Sequence, residues 1–155
     1  MSQKTDVMAI HSGSAVRAAQ PYDSNRIADL AAQLGYQCSG QQIRKRLGGM
    51  QDPKQYAVYV AEFPGGLVAG WVGVYVFRTV ELDAVAEISG LIVDENTRSS
   101  GIGKILLDAA ENWARQVGCN AISVHSNVTR DQAHRFYMNN GFEPVKTQRI
   151  FRKTF

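Results

Sequence analysis

The chain has 155 residues, 45% hydrophobic and 20% charged, with a formal net charge of +3 and a sequence pI of about 9.0. That is enough for one domain with a proper core, and the composition excludes disordered, collagenous and disulfide-stapled classes. Lys and Arg are scattered, with Arg44-Lys45-Arg46 the only tight cluster, so a nucleic-acid partner is not expected, whereas a small polyanionic ligand fits.

Residues 1–14 are small and polar and read as a loose leader, without the apolar run of a signal peptide. No segment approaches the ~20 apolar residues that span a bilayer, so a cytoplasmic location and no membrane partner are expected. Ala15 to Ala18 reads as a short strand. After a Pro/Asp/Ser break, Ile27, Leu30, Ala31 and Leu34 recur at helical spacing, with Gly35 as a stop. Cys38 and Cys119 are too far apart in sequence for a metal knuckle or a disulfide framework and read as free thiols. "SGQQIRKRLGGM" predicts a second, shorter helix ending at Gly48-Gly49, and Asp52-Pro53 a turn.

"YAVYVAEF" and "LVAGWVGVYVF" predict two strands joined by a "PGG" hairpin turn. "AVAEISGLIVDE" is a third, long and largely apolar, as when both faces are covered. In the helix that follows, Ile102, Ile105, Leu106, Ala109, Trp113 and Val117 fall on one face, and Gly118 can end it. "AISVHSN" predicts a strand, "DQAHRFYMNNGF" a helix closed at Asn140-Gly141, and Glu143 to Lys146 and Ile150 to Phe155 two final strands. The fold class is therefore α/β, or α+β with a mixed sheet. Antiparallel hairpins and one βαβ crossover combine in a single domain over 15–155.

The joint between the apolar strand and its helix, "RSSGIGKI", is the chemical signal. A Walker A loop would need glycine where Arg98 stands and Ser or Thr where Ile105 stands. A dinucleotide fingerprint would need glycine at Leu106. What remains is R-x-x-G-x-G: Arg98, Ser99, Ser100, Gly101, Ile102, Gly103. Glycines let backbone N–H groups approach an anion, and the first N–H groups of a helix lack intrahelical partners at its positive end. Arg98 and Lys104 add charge. A pyrophosphate fits such a nest, although the same glycines also make an ordinary tight turn.

R-x-x-G-x-G after a strand is followed by N-x-x-x-x-x-A-x-x-F-Y-x-x-x-G-F, here Asn127, Ala133, Phe136, Tyr137, Gly141 and Phe142. Together, in this order, the two motifs resemble the GNAT superfamily of N-acetyltransferases, over about Ala15 to Phe155. The resemblance implies a central mixed sheet flanked by about four helices and acetyl-coenzyme A as co-substrate. It places the pyrophosphate on Arg98 to Lys104. The pantetheine would pair with the backbone of Leu91, Ile92 and Val93, in an opening between strands Ala84–Val93 and Ala121–Ser126. Asn127, Ala133 and Phe136 would line the cofactor. A β-bulge that splays the two strands fits Ser89-Gly90. Relatives are often dimers, which implies a homodimer.

Acetyl transfer to an amine requires that the amine lose a proton, that the tetrahedral oxyanion find donors, and that the leaving thiolate gain a proton. By resemblance Tyr137, a phenol of pKa near 10, protonates the sulfur, and a backbone N–H near Leu91 holds the oxyanion. Glu87 is the one carboxylate inside the apolar strand and a candidate base; a water chain without a dedicated base is the alternative. His11, His125 and His134 lack metal-ligand spacing, and His134 reads as solvated or adenine-facing. Without a G-x-S-x-G elbow, direct transfer is expected. The acceptor region would be residues 22–50, with Tyr36 and Gln37 at its turn, and the residues leave the amine open. Two rival classes are an acyl-CoA sensor without turnover, which replacement of the tyrosine would favour, and a basic nucleic-acid-binding domain.

Overall fold

The structure, a computed structural model, describes residues 13–155; the expected leader and His11 therefore lie almost wholly outside the described residues. The chain divides into two compact units, Met1–Val124 and His125–Phe155.

The first unit contains β1 (Ala15–Ala18), α1 (Ser24–Ala32), α2 (Gly40–Gly48), β2 (Tyr56–Glu62), β3 (Val68–Phe77), β4 (Val85–Val93), α3 (Ile102–Gln116) and β5 (Ile122–Val124). The strands form one sheet in the order β1-β2-β3-β4-β5. The first four pair antiparallel, and β5 joins parallel to β4 through the α3 crossover. The mixed sheet with a single crossover is the architecture that the sequence pattern implies. Gly65 and Gly66 turn the β2–β3 hairpin at φ +98° and +90°, which only glycine adopts without strain. Ser39 caps α2 in a reciprocal box with Gln42.

Each face of the sheet carries helices. On one face α1 supplies Ile27, Leu30 and Ala31 to a buried cluster with Val60 and Ile92, against which Trp71 and the α2 residues Ile43 and Leu47 pack. On the other face α3 lies across β2, β3 and β4. The buried residues of α3 are Ile102, Leu106, Leu107, Ala110, Trp113 and Ala114. Of the stripe that helical spacing predicts, Ile102, Leu106 and Trp113 are buried, whereas Ile105, Ala109 and Val117 are only partly so. The difference is a small rotation of the helix that brings Leu107 and Ala110 onto the sheet. Gly70 marks where the helix comes closest: a β-carbon there would sit 2.6 Å from the Ile92 carbonyl oxygen and 3.1 Å from Leu106.

β3 and β4 keep register from Phe77↔Val85 to Val74↔Ile88, then resume at Gly73↔Gly90. Ser89 is the extra residue of a β-bulge, at the expected Ser89-Gly90 position. Its effect is to reverse facing. Without it Glu87 and Leu91 would share a side. With it Glu87 pairs with Tyr75 on the α1–α2 face, and Leu91 pairs with Val72 on the α3 face.

The second unit contains α4 (Asp131–Asn139). Two sequence expectations are corrected near the end of the chain. The fifth strand runs only from Ile122 to Val124, not to Ser126, because it pairs with β4 at three positions alone. The strands expected at Glu143 to Lys146 and Ile150 to Phe155 are not formed. Val145, Ile150, Phe151 and Phe155 are all at least 86% exposed, so alternation in this segment is not matched by a buried face that would fix a register.

Gly70→Ala is expected to lower stability by about 1–3 kcal/mol, since the new methyl meets backbone rather than a movable side chain. Gly48→Ala, in a helical position with open space around it, is expected to be neutral or to add up to about 1 kcal/mol. Urea unfolding of the two variants beside the parent measures both.

Candidate active site

The strand-to-helix joint is built from Asp94 onward. Asp94 donates its N–H to the Ala69 carbonyl at 2.8 Å, and its carboxylate accepts from the backbone and side-chain nitrogens of Asn96 at 3.0 and 3.1 Å. That closes a 3-10 turn over Glu95–Thr97. The chain then passes through Ser99 at φ +66°, the only non-glycine residue with positive φ among those described, and Gly101 at φ +86°. Gly101 is the N-cap of α3 in the left-handed conformation, so no side chain stands between the first N–H groups of the helix and whatever lies in front of them.

Within this loop the side chains have distinct duties. Ser100 donates its hydroxyl to the Thr97 carbonyl. Ile102 is fully buried and Ile92 nearly so, so only their backbones are offered to a ligand. Arg98 is anchored loosely, its Nε 3.4 Å from the Val93 carbonyl. Lys104 is ion-paired with Asp108 one turn along the helix, which shares its charge rather than leaving it wholly for an anion.

Leu91, Ile92 and Val93 precede the joint. β5 pairs with β4 only from Ala86 to Ile88, so beyond Ile88 that side of β4 carries no β5 partner. The pairing ends one residue before the bulge at Ser89.

On the α1–α2 face a cleft of about 300 Å³ opens, with Met50, Tyr56, Val58, Tyr75 and Ser89 in its lining. Tyr56, Tyr75 and Glu87 form one cross-strand row beside it. Glu87 is 8% exposed. Burial pushes the Tyr75 phenol up to about 12, helped by its hydrogen bond to the Glu87 carboxylate; at neutral pH Tyr75 is a donor to Glu87. Tyr75 and Tyr56 were not singled out from the sequence. The signal available was the alternation of β3 and β2, which sets both on the Glu87 side once register is known. Trp71 lies on the same face, its ring 2.9 Å from where a Gly90 β-carbon would sit. Its indole nitrogen is buried without a hydrogen-bond partner among the described residues.

The second unit holds Asn127, Ala133, Phe136 and Tyr137. The Asn127 side-chain oxygen accepts from the Thr129 N–H at 3.0 Å and its hydroxyl at 2.8 Å, the geometry of an Asx turn. Its carbonyl meets His134 Nε2 at 2.9 Å, so His134 closes the helix start rather than standing free in solvent. α4 ends in a Schellman motif: Phe142 N–H donates to the Tyr137 carbonyl and Gly141 N–H to that of Met138, with Gly141 at φ +86°. This explains the spacing of F-Y and G-F, because the motif brings the residue after the glycine onto the one five positions earlier. The Tyr137 and Phe142 rings are 5.3 Å apart, and Phe136 meets Tyr137 edge-on at the same distance. Ala133 is half-buried one turn before Tyr137. Burial raises the Tyr137 phenol pKa, against a smaller lowering from Arg130, so it holds its proton at neutral pH.

Among the described residues no group of three or more potential metal ligands occurs, Cys38 and Cys119 are free thiols, and no helix is long and apolar enough to cross a membrane.

Residues 26–142 match the model of the Acetyltransferase (GNAT) family. The chain belongs to that family. The sheet and its helices have the fold of that family. An aminoglycoside N(6′)-acetyltransferase type 1 of Stenotrophomonas maltophilia is 30% identical over 148 residues, covering 92% of this chain and 95% of that one. An aminoalkylphosphonate N-acetyltransferase of Salmonella typhimurium is 34% identical over 79 residues, half of each chain. The chain spans about a third to a half of the length of two of the curated relatives it matches. Among solved structures, the aminoglycoside acetyltransferase AAC(6′)-Iy in complex with a CoA-containing bisubstrate analogue superposes with a TM-score of 0.79 at 17% identity, covering 92% of this chain and 99% of the other.

Hydrogen bonds from Asn96 and Arg26 hold the Asp94 carboxyl down at about 2, below the ordinary 3.9 of the unfolded chain. Its stabilisation is complete above about pH 4 and is lost as the pH falls toward 2. Asp94→Asn is expected to be less stable at neutral pH and to lose less across that window. Urea midpoints from pH 2.5 to 7 check this.

Proposed function

We propose that residues 15–155 form a single catalytic domain that transfers the acetyl group of acetyl-coenzyme A directly to a primary amine of a small molecule or peptide in the cytoplasm. The observation that carries this is the left-handed Gly101 cap opening α3 directly after a strand whose β5 side is free past Ile88. Such a joint suits a pyrophosphate on the helix start and an amide-bearing arm along the strand.

In this reading the backbone N–H groups from Ser99 to Lys104, with Arg98, bind the pyrophosphate. Leu91, Ile92 and Val93 offer backbone groups to the pantetheine, and Asn127, Ala133 and Phe136 line the cofactor. The acetyl thioester supplies the activated acyl group. Glu87, held by Tyr75, takes the proton of the ammonium, directly or through a water, and leaves the amine lone pair free to attack. The Leu91 N–H donates to the developing oxyanion. Tyr137 gives its phenolic proton to the departing sulfur, and the second proton lost by the attacking nitrogen as the amide forms restores the phenol, so of the two ammonium protons one ends on the carboxylate and the other replaces the one that reached the thiol. A neutral phenol at this position favours turnover over a sensor that only binds acyl-CoA.

For the acceptor, the names of the S. maltophilia and S. typhimurium relatives favour a small amine, and the cleft beside Glu87 is a suitable place for it. A homodimer completes the proposal.

Thermal unfolding with acetyl-CoA, beside ATP and NAD controls, tests the donor. A ligand at about 100 times its Kd adds roughly 2.7 kcal/mol of stability; no shift with acetyl-CoA would remove the reading. Tyr137→Phe is expected to lower kcat by about 10²–10⁴ with coenzyme A affinity little changed, and an unaltered kcat would exclude Tyr137 as the acid. Gly101→Val forces a branched residue into the left-handed region and closes the nest; coenzyme A binding, read by calorimetry, should be lost.

A further inference from the structure

The turn that launches the anion loop is held from outside itself, by α1 on the sheet face opposite α3. Arg26, in the first turn of α1, donates from Nε to the Val68 carbonyl at 2.9 Å and from Nη2 to Asp94 Oδ2 at 2.5 Å. Gln33, just past the end of α1, reaches the same turn twice: its Oε1 accepts from the Glu95 N–H at 3.0 Å, and its Nε2 lies 3.4 Å from Asp94 Oδ1. Asp94 in turn receives Asn96 through its carboxylate and Thr97 through its carbonyl. Two side chains seven residues apart on one helix thus grip Asp94 and Glu95, while the helix between them is seated in the core through Ile27, Leu30 and Ala31.

A loop that passes through left-handed Ser99 and Gly101 has no regular ladder of its own to define it, and such backbone persists only where its surroundings over-determine it. The 3-10 turn is the last fixed point before it. We propose that Arg26 and Gln33 are positioning residues that clamp Asp94 and Glu95, and thereby set the conformation in which residues 98–104 present their N–H groups to the pyrophosphate. The proposal rests on the reading of that loop as the cofactor site. It also ties the helix on the cleft side to the phosphate loop through one ion pair, so a shift of α1 is felt at the loop.

Two readouts test the clamp: calorimetric coenzyme A affinity, and hydrogen–deuterium exchange at residues 95–104 in the ligand-free protein. Arg26→Gln is expected to weaken coenzyme A binding about tenfold or more and to speed exchange at Glu95, Asn96 and Thr97. Gln33→Ala should do both by about threefold. Arg26→Lys, which keeps a cation for Asp94, should fall between Arg26→Gln and the parent. Arg17→Gln is the control. Arg17 forms a bidentate pair with Asp23 at 2.8 and 2.9 Å and reaches Glu62, so its loss should lower Tm without changing coenzyme A affinity or exchange at 95–104. If Arg26→Gln does not fold, Gln33→Ala decides alone. Affinity and exchange both within twofold of the parent would overturn the clamp, and so would faster exchange with unchanged affinity. A parent protein that binds no coenzyme A would instead sink the cofactor reading, and exchange alone would then judge the clamp.

Discussion

One inserted residue governs the geometry of the central strand. A two-residue period means that every position of β4 is committed to a face as soon as one is. Ser89 breaks that commitment between Val74 and Gly73 of the neighbouring strand. The Glu87 carboxylate and the Leu91 side chain, only four positions apart, then point to opposite faces of the same sheet, while the backbone of residues 91–93 stays in its plane. The glycines Gly73 and Gly90 facing each other beside the bulge are part of the same constraint. A β-carbon on Gly73 would lie 2.6 Å from Ser89 Oγ, and one on Gly90 would strike the ring of Trp71. The bulge, the glycine pair and the tryptophan above them therefore form one packed unit, and Glu87 takes its place from it.

The second constraint is the left-handed cap at Gly101. Helix α3 has Leu106, Leu107 and Ala110 wholly buried against the sheet, so its axis is fixed by packing and the loop must deliver the chain to it. The ion pair between Arg26 and Asp94 belongs to the α1 side, and the glycine cap to the α3 side. The two helical layers meet at the end of β4, between these two contacts.

Much of this was legible in the residues. The strand-to-helix joint at R-x-x-G-x-G, with its glycine cap, could be placed because glycine and helix start are local chemistry. Ser89-Gly90 could be named as a bulge because the family resemblance implies one in this strand and interior glycine often marks one. Gly141 and Phe142 follow Tyr137 at the spacing a Schellman closure demands. What was not legible depends on partners distant in sequence. Tyr75 and Tyr56 join Glu87 only through register, which no local pattern sets. Arg26 and Gln33 look like ordinary surface positions of an amphipathic helix until Asp94, more than sixty residues later, is brought beside them. On α3 the predicted stripe holds at Ile102, Leu106 and Trp113 but misses Leu107, Ala110 and Ala114, because periodicity gives the width of a buried face but not its rotation. Strands expected after Glu143 failed for the converse reason. Alternation is a necessary sign of a strand, but a ladder needs a neighbour.

The two tryptophans give the molecule a pair of internal optical reporters. Trp71 sits on the cleft face, wedged over Gly90, its indole nitrogen without a hydrogen-bond partner among the described residues. Trp113 sits on α3 on the other face, its indole N–H bonded to the Pro53 carbonyl at 2.9 Å. Indole emission follows the polarity and hydrogen bonding of its surroundings, so the two rings carry different signatures in the resting protein. A ligand entering beside Ser89 perturbs the first, and one that strains α3 perturbs the second. Single-tryptophan forms would make each side of the sheet visible separately, in real time and without a label.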